Sequence, residues 1–447
     1  MGYARWATAE EKAQITIPVN LSTNLEKSGT PIMYDDNNLY LLKNSYHTLV
    51  IGSTGSGKTQ SIVLPQIKLS MKAGESLVVS DPKGELYINT ANELENKGYK
   101  VSVINLENPS LGNNFNPLKF PYQLYKEGNK DKSMEMIEDL GYYLLYDKNE
   151  KSSDPFWINS TIDYFTGLVL YLFENAKEEE IHLVSVSTLA NELTTNDKIE
   201  KFMSKIEKNS TIYINVAGTL KAPPETKGSI LSVFNQKIKK YISREILSNM
   251  LCKTDFEFTK IGNEKQALFI IGGLSSYSDG LIPLIINQIY NVVDLYGTKE
   301  KSVNIILDEF DSLLPIKNFY KLITASRSIY IKFTVIIKGF MDIINLYGKE
   351  DAEFLKQCFQ TIIYLISTDI TTLEEISALC GKAEENKPLI DAEDLKRLNT
   401  FEAIVLVLRQ MPIKTKLLPD YQIDWGYETV KKDIPRRQVN NLEIFEF

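Results

Sequence analysis

The pattern of apolar and polar residues changes twice along the chain. Up to about residue 118, and again after about residue 226, short apolar runs alternate with segments of helical periodicity. The apolar runs predict buried strands at 47–51, 76–80, 101–104, 267–271, 303–307, 333–337, 361–367, 403–409 and 415–418. Strands that alternate with helices are typical of an α/β fold, so we predict a mainly parallel sheet with helices on both faces.

The middle of the chain lacks this alternation. From about residue 131, apolar residues recur at spacings of three and four, as in 134–145 and 162–172. The block ends at the helix breaker Pro223-Pro224. We therefore predict an all-α domain inserted into a single sheet-containing domain. The predicted boundaries are 1–128 for the first part of that domain, 129–225 for the all-α domain, 226–430 for the second part and 431–447 for a C-terminal tail.

Composition narrows the class of protein. A chain of 447 residues with 43% hydrophobic and 24% charged residues is typical of a globular protein, and no run of about 18 apolar residues occurs. The net charge of −8 argues against a protein that coats nucleic acid over its whole surface. Three widely spaced cysteines form no disulfide framework and fit a reducing cytoplasm. The basic tail, with Lys431-Lys432 and Arg436-Arg437, is most simply solvated, although it could contact DNA or a channel partner.

A phosphate-binding loop is the strongest chemical signal. The segment GSTGSGKT follows the predicted strand 47–51 and precedes a predicted helix, which is the order that a P-loop requires. We expect its backbone N–H groups and its lysine to bind the phosphates of ATP, while the threonine hydroxyl binds Mg²⁺. The predicted nucleotide-binding residues of the loop are Gly52, Ser53, Thr54, Gly55, Ser56, Gly57, Lys58 and Thr59.

A second motif supplies the acidic residues that ATP hydrolysis requires. The predicted strand 303–307 ends in Asp308-Glu309, which is the Walker B arrangement. Asp308 is expected to hold Mg²⁺ together with Thr59, and Glu309 to polarise the attacking water. The acidic pair, and the lack of a guanine-reading Asn-Lys-x-Asp run, favour a motor-type ATPase over a GTPase or a small-molecule kinase.

Asp81 follows the predicted strand 76–80, at the sheet edge where α/β proteins bind ligands. It could orient water or Mg²⁺ at the nucleotide. Equally, the segment Asp81-Pro82-Lys83-Gly84 could be only a turn that joins a strand to a helix.

An ordered set of short motifs resembles a known family, the TraG/VirD-type coupling proteins of type IV secretion and conjugation, a branch of the FtsK/HerA-like hexameric ATPases. The motifs are GYARWAT at 2–8, the P-loop, DPKGELY at 81–87, NFNPL at 114–118, PFW at 155–157, TKGSILS at 226–232, LDEFDSLL at 307–314 and ASRS at 325–328. The resemblance implies a RecA-like nucleotide-binding domain that carries an all-α domain and assembles into a ring of six.

The resemblance also implies partners and a location. Such proteins deliver a relaxase-bound single DNA strand, or effector proteins, to a secretion channel, where they meet channel ATPases and inner-membrane components. The family's membrane anchor would precede the GYARWAT segment, so we expect a cytoplasmic domain at the inner face of the cell membrane. Without the anchor, we expect the chain to be largely monomeric in dilute solution.

Two further site residues come from the resemblance. The family's arginine finger matches Arg327, which would enter the neighbouring subunit's site; alternatively, Arg327 only caps a helix. Lys338 stands where the family commonly has a glutamine that contacts the γ-phosphate. A lysine there could neutralise phosphate charge but cannot accept a hydrogen bond from water. The sequence therefore predicts an ATP-driven motor, and leaves open a receptor module that binds nucleotide with little hydrolysis.

Overall fold

The computed structural model of the chain describes residues 3–35, 38–44, 46–146, 155–273, 275 and 277–447. The chain divides into two units. The first comprises 1–103, 257–271 and 289–434, and the second comprises 104–256, 272–288 and 435–447. Among the described residues, no helix is both long enough and apolar enough to cross a membrane.

A nine-stranded sheet organises the first unit, with the order β14-β13-β10-β4-β9-β8-β5-β7-β6. Its strands are β4 (Thr48–Gly52), β5 (Ser76–Ser80), β6 (Lys100–Asn105), β7 (Gln266–Ile271), β8 (Val303–Leu307), β9 (Ile331–Ile337), β10 (Thr361–Ile366), β13 (Glu402–Val407) and β14 (Ile413–Lys416). The pairs from β10 through β4, β9, β8 and β5 to β7 are parallel, whereas β13 and β14 continue the sheet in antiparallel fashion. The predicted α/β fold with a mainly parallel sheet is confirmed.

Smaller strands form two accessory sheets. An antiparallel sheet of order β1-β3-β2 is built from β1 (Thr16–Val19), β2 (Pro31–Asp35) and β3 (Asn38–Leu42). A two-stranded ribbon pairs β11 (Lys382–Glu384) with β12 (Lys387–Pro388). The apolar pattern predicted none of these strands.

Helices cover the large sheet in the first unit and build the second unit. The first unit contains α1 (Ala9–Ile15), α2 (Leu64–Ala73), α3 (Glu85–Asn96), α13 (Phe319–Ser326), α14 (Phe340–Tyr347), α15 (Lys349–Gln357), α16 (Ile370–Cys380) and α17 (Ala392–Leu395). The second unit contains α4 (Lys119–Lys126), α5 (Lys130–Leu145), α6 (Pro155–Asn175), α7 (Leu183–Glu192), α8 (Asn196–Ser204), α9 (Thr211–Leu220), α10 (Pro224–Ile242) and α11 (Glu245–Met250). Helix α12 (Ser278–Tyr296) includes residues of both. The helical unit includes residues on both sides of the predicted range 129–225. The predicted domain boundaries remain a prediction.

Apolar side chains of the central strands form the core of the first unit. Strands β4, β5 and β8 are buried along their whole length, as expected for parallel strands covered on both faces. Val50, Val79, Ile306 and Ile336 belong to one buried cluster that also receives Ile62 and Ile67 from the segment after the P-loop. The core therefore holds the strand ends that carry the P-loop and Walker B residues in fixed positions.

The C-terminal segment is not a solvated tail at every position. Residues 435–447 belong to the helical unit, and only 7% of Arg437 is exposed. Its guanidinium group donates hydrogen bonds to the carbonyl oxygen of Pro109 and to the side-chain oxygens of Asn114 and Asn249, at 2.7–2.8 Å. The interpretation of Arg437 as a solvated basic residue was wrong, because its partners lie far away in sequence.

A close approach of α6 to α9 in the helical unit yields a stability test. A Cβ atom at Gly167 would lie 2.4 Å from Cγ1 of Val216, whereas a Cβ at Gly218 of α9 would meet nothing within 4 Å. We expect Gly167→Ala to lower the free energy of unfolding by about 1–3 kcal/mol through overpacking. Gly218→Ala is the matched control and should raise it by up to about 1 kcal/mol. Urea unfolding of both variants checks the pair, and equal effects would contradict the packing.

Candidate nucleotide-binding site

Strand register brings the predicted site residues to one edge of the sheet. Ser80 of β5 pairs with Leu307 of β8, and Ile51 of β4 pairs with Ile337 of β9. The residues that follow these pairs at the carboxyl edge are Asp81, Asp308, Gly52 and Lys338. Asp81, Asp308 and Lys338 line a cavity of about 300 Å³ together with residues 54–59 of the P-loop.

The P-loop needs its glycines for backbone conformation. Gly55 and Gly57 have φ angles of +80° and +90°, which favour glycine strongly. A Cβ at Gly57 would also lie 2.6 Å from the Phe401 ring. After Lys58 the chain makes a π-helical turn (Thr59–Val63) that leads directly into α2. The loop therefore curls in front of a helix N-terminus, where backbone N–H groups and the helix dipole favour an anion.

Lys58 is folded back onto its own loop. Its Nζ donates hydrogen bonds to the carbonyl oxygens of Gly52, at 2.5 Å, and of Ser53, at 3.0 Å. Burial lowers the pKa of Lys58, while the carboxylates of Asp308 and Glu309 oppose this shift. A phosphate group would offer this ammonium stronger acceptors than two carbonyl groups.

Two buried carboxyl groups line the same cavity as Lys58. Asp308 is 7% exposed and Asp81 only 1% exposed. Burial raises the pKa of each to about 6. One carboxylate oxygen of Asp81 accepts the N–H of Tyr87 at 2.8 Å, while the other has no hydrogen-bond partner among the residues that the structure describes. A buried carboxylate oxygen without a partner is costly, so this oxygen suits a cation or an ordered water.

Glu309 has an unusual backbone conformation. Its φ and ψ angles of 49° and 46° are left-handed, which costs a residue other than glycine roughly 1–3 kcal/mol and is commonest at functional sites. Its N–H donates to the Asp308 carboxylate at 3.0 Å. Its own carboxylate lies 3.6 Å from the ammonium group of Lys83, which is mostly exposed. An ion pair this exposed is weak and easily exchanged.

Lys338 lines the same cavity and is held by acidic partners. Its Nζ donates to the Asp311 carboxylate at 2.5 Å, and this hydrogen bond raises the pKa of Lys338. Its backbone N–H and that of Gly339 donate to Asp342. Sequence reasoning missed Asp311, although its position three residues after Asp308 in the run DEFD is a signal that could have indicated it.

Arg327 lies at the opposite edge of the sheet. It follows α13 and precedes β9, so it sits at the amino ends of the strands whose carboxyl ends carry the cavity. The guanidinium group stacks on the ring of Tyr46, 4.3 Å from its centroid. Within one chain the cavity is lined by the predicted site residues 54–59, Asp81, Asp308, Glu309 and Lys338, whereas Gly52 and Ser53 do not line it.

A family model described as type IV secretory system conjugative DNA transfer matches residues 6–387. The chain belongs to this family. The match confirms the resemblance that the ordered motifs indicated. No curated protein matches the sequence.

Solved structures of this conjugative DNA transfer family and beyond share the fold. The bacterial conjugative coupling protein TrwB, unbound, superposes with a TM-score of 0.70 at 13% identity, covering 96% of this chain and 95% of that chain. TrwB in complex with the ATP analogue ADPNP, or with ADP and Mg²⁺, gives 0.69 at 14% identity, covering 98% and 96%. VirB4 of Thermoanaerobacter pseudethanolicus gives 0.50 at 14% identity, covering 88% and 97%. At these identities the likeness shows the fold.

The raised pKa of Asp308 predicts a pH dependence. A protonated carboxyl group is a poor ligand, so we expect Mg²⁺–ADP to bind more weakly as the pH falls through about 6, where Asp308 gains a proton. Binding near pH 6 should therefore release protons. Calorimetric titration in two buffers of different ionisation enthalpy measures this release, and Asp308→Asn should reduce it. The protons of ADP itself are common to both proteins and cancel, so an unchanged release in the variant would contradict the assignment.

Proposed function

We propose that the protein is an ATP-driven coupling protein that delivers cargo to a type IV secretion channel. One observation carries the proposal: the P-loop and two buried carboxyl groups converge on one cavity at the carboxyl edge of the sheet. The chain also belongs to a conjugative DNA transfer family.

The residues present fit ATP and Mg²⁺. The backbone N–H groups of 53–59 and the ammonium group of Lys58 bind the phosphates. The Thr59 hydroxyl and the Asp308 carboxylate would hold Mg²⁺, and the Asp81 oxygen that has no hydrogen-bond partner among the described residues would accept a hydrogen bond from water. The bound cation supplies charge neutralisation on the phosphate oxygens. TrwB, which has the same fold, is known with an ATP analogue and with ADP and Mg²⁺, and this supports the choice of ligands.

For hydrolysis, Glu309 orients water and accepts its proton, and Lys338 neutralises phosphate charge. Both side chains must first exchange a partner, because Glu309 faces Lys83 and Lys338 faces Asp311. These pairs favour a second candidate, a receptor module in which nucleotide fixes the conformation and little hydrolysis follows. The left-handed backbone at Glu309 favours the motor, since such backbone strain is commonest at functional sites, where a side chain must be held in a defined position.

The cargo and surroundings follow from the family. We infer a relaxase-bound single strand of DNA, or effector proteins, as cargo, and channel ATPases and inner-membrane components as neighbours at the inner face of the cell membrane. The subunits assemble into a hexameric ring. Arg327 then completes the adjacent subunit's site, which agrees with its exposure at the edge opposite its own P-loop.

Two substitutions separate ATP binding from hydrolysis. Lys58→Ala should weaken ATP binding by about 10- to 100-fold, because hydrogen bonds to charged groups contribute about 1.5–3 kcal/mol each. Glu309→Gln should keep ATP bound and slow turnover by roughly 10²- to 10⁴-fold, since an amide cannot accept the proton. Calorimetry and a phosphate-release assay, with and without single-stranded DNA, measure both. Lys349→Ala, at an exposed lysine of the same unit, is the control.

Two outcomes bear on the proposal as a whole. Unchanged ATP affinity in folded Lys58→Ala would overturn the site. Turnover that is negligible in the parent and unaffected by Glu309→Gln would favour the receptor module over the motor.

Arg327 can be tested by mixing variants. Arg327→Ala should bind ATP normally but lose the part of its turnover that rises with protein concentration, an effect of about 10³-fold for an arginine finger. Mixed with Lys58→Ala, it supplies an intact P-loop while its neighbour supplies the arginine, so activity should partly return at high concentration. Arg397→Ala, at another exposed arginine, is the control. If mixed oligomers form but ATPase activity does not recover, Arg327 has no role in the neighbouring site and serves only as the C-cap of α13.

A further inference from the structure

The last thirteen residues of the chain lie against the helical unit in two different ways. At Arg437 the attachment is a buried clamp, in which the guanidinium group is enclosed and hydrogen-bonded, although Pro435 and Arg436 are exposed. Beyond it, from Asn440 onwards, the side chains are exposed or only half-buried. The two parts therefore differ in how easily they can leave the surface.

The segment 440–447 is held partly through its backbone. The Asn249 side chain donates to the carbonyl oxygen of Asn440 at 2.7 Å and accepts the N–H of the same residue at 3.1 Å. Nε2 of His182 lies 2.9 Å from the carbonyl oxygen of Glu443, and the N–H of Phe445 donates to Oγ of Ser185 at 3.2 Å. Contacts of this kind recognise an extended chain and do not depend on its side chains.

His182 is prepared for this contact by its place in the fold. It caps the N-terminus of α7, where its Nδ1 accepts the N–H of Ser185 at 3.3 Å. Nδ1 is therefore unprotonated, and the ring hydrogen of the neutral imidazole stands on Nε2, facing the carbonyl oxygen of Glu443. Burial lowers the pKa of His182 and so favours this neutral form. Helix α7 fixes the position of His182, which is only 1% exposed. Its Nε2–H group therefore needs a hydrogen-bond acceptor, either from this chain or from another protein.

Two aromatic side chains at alternate positions complete the contact. Phe445 and Phe447 both lie edge-on to the ring of Tyr171, with centroids 6.2 Å and 6.1 Å away. Phe447 also meets Phe202 at 5.7 Å. The ammonium groups of Lys201 and Lys205 lie over the Phe447 ring, 5.0 Å and 4.2 Å from its centroid. An extended peptide places side chains two residues apart on the same side, which is the spacing that this surface accepts.

We propose that this surface is a peptide-binding groove, formed by Tyr171, His182, Ser185, Lys201, Phe202 and Lys205, and that the segment 440–447 occupies it in cis. Its ligand in trans is an extended segment of a partner protein with aromatic residues at alternate positions and a carboxylate between them. The cis segment, Phe445-Glu446-Phe447, has this chemistry, and the two lysines of the groove complement its acidic character. Such a ligand would displace the segment while the Arg437 clamp stays closed. The groove is independent of the nucleotide site.

A competition experiment on the full chain tests the groove. The probe is a fluorescein-labelled peptide of residues 438–447, QVNNLEIFEF, followed by fluorescence anisotropy. In Phe445→Ser/Phe447→Ser the cis segment loses its anchors, so the probe should bind. The wild-type chain should bind the probe at least 10-fold more weakly, because a tethered competitor is present at roughly millimolar effective concentration. A peptide with both phenylalanines replaced by serine should not bind.

Substitutions in the groove sharpen the test. Adding Lys201→Gln and Lys205→Gln to the double variant should weaken probe binding, whereas Lys208→Gln, at an exposed lysine three residues before α9 and outside these contacts, should not. Hydrogen exchange of the wild-type chain avoids any folding defect of the variants. Excess unlabelled peptide should speed exchange at the Phe445 amide and leave that of Arg437 unchanged.

Three results would overturn the proposal. The first is that the folded double variant fails to bind the probe, which would make the segment a fixed part of the helical unit. The second is that excess peptide leaves Phe445 exchange unchanged. The third is that light scattering finds a wild-type dimer that the double variant loses, which would show that the segment binds a second copy of the chain.

Discussion

Parallel pairing of β4, β9, β8 and β5 is the constraint on which the rest of the first unit depends. Side chains become neighbours at the carboxyl edge only because the four strands run in the same direction and end together. The pairing of Ser80 with Leu307 makes Asp81 and Asp308 neighbours although 226 residues separate them (308 − 81 − 1). Continuous burial of these strands excludes water from their backbone, so a shift in register would be costly throughout the core.

The same burial sets the chemistry of the cavity. Packed strands beneath the edge deprive Asp81, Asp308 and Lys58 of solvent, which disfavours the charged form of each. The ion pairs Lys83–Glu309 and Lys338–Asp311 lie nearer the solvent than these buried groups. They are better hydrated, so separating them costs less free energy. A polyanion with its divalent cation satisfies the buried groups and competes for the outer ones. A bound ligand would therefore offset the cost of burying the charged groups at the base of the cavity. It would also replace the weak ion pairs at the rim.

Much of this architecture could be predicted from local sequence. The runs at 76–80 and 303–307 are mainly apolar and each is followed by an aspartate, so their strands coincide with the prediction. Strand β1 could not be found this way, because four residues that include Pro18 show no clear period. The burial of Arg437 depends on contacts with distant segments, at Pro109, Asn114 and Asn249. Chemistry carried by a contiguous motif was predictable, whereas partners chosen by tertiary structure, such as Lys83 for Glu309, were not.

The placement of Arg327 and the P-loop at opposite ends of β9 and β4 gives each subunit a polarity. If Arg327 acts on a neighbouring site as proposed, the surface that carries it and the site that accepts it would not meet in a two-fold pair, where both partners present the same face. They match only head to tail, in a heterologous contact that either closes into a ring or continues as a filament. In such an assembly every site would contain residues of two chains. The strands of each chain would connect one site to the next, so a change at one site would be transmitted in the same direction around the ring.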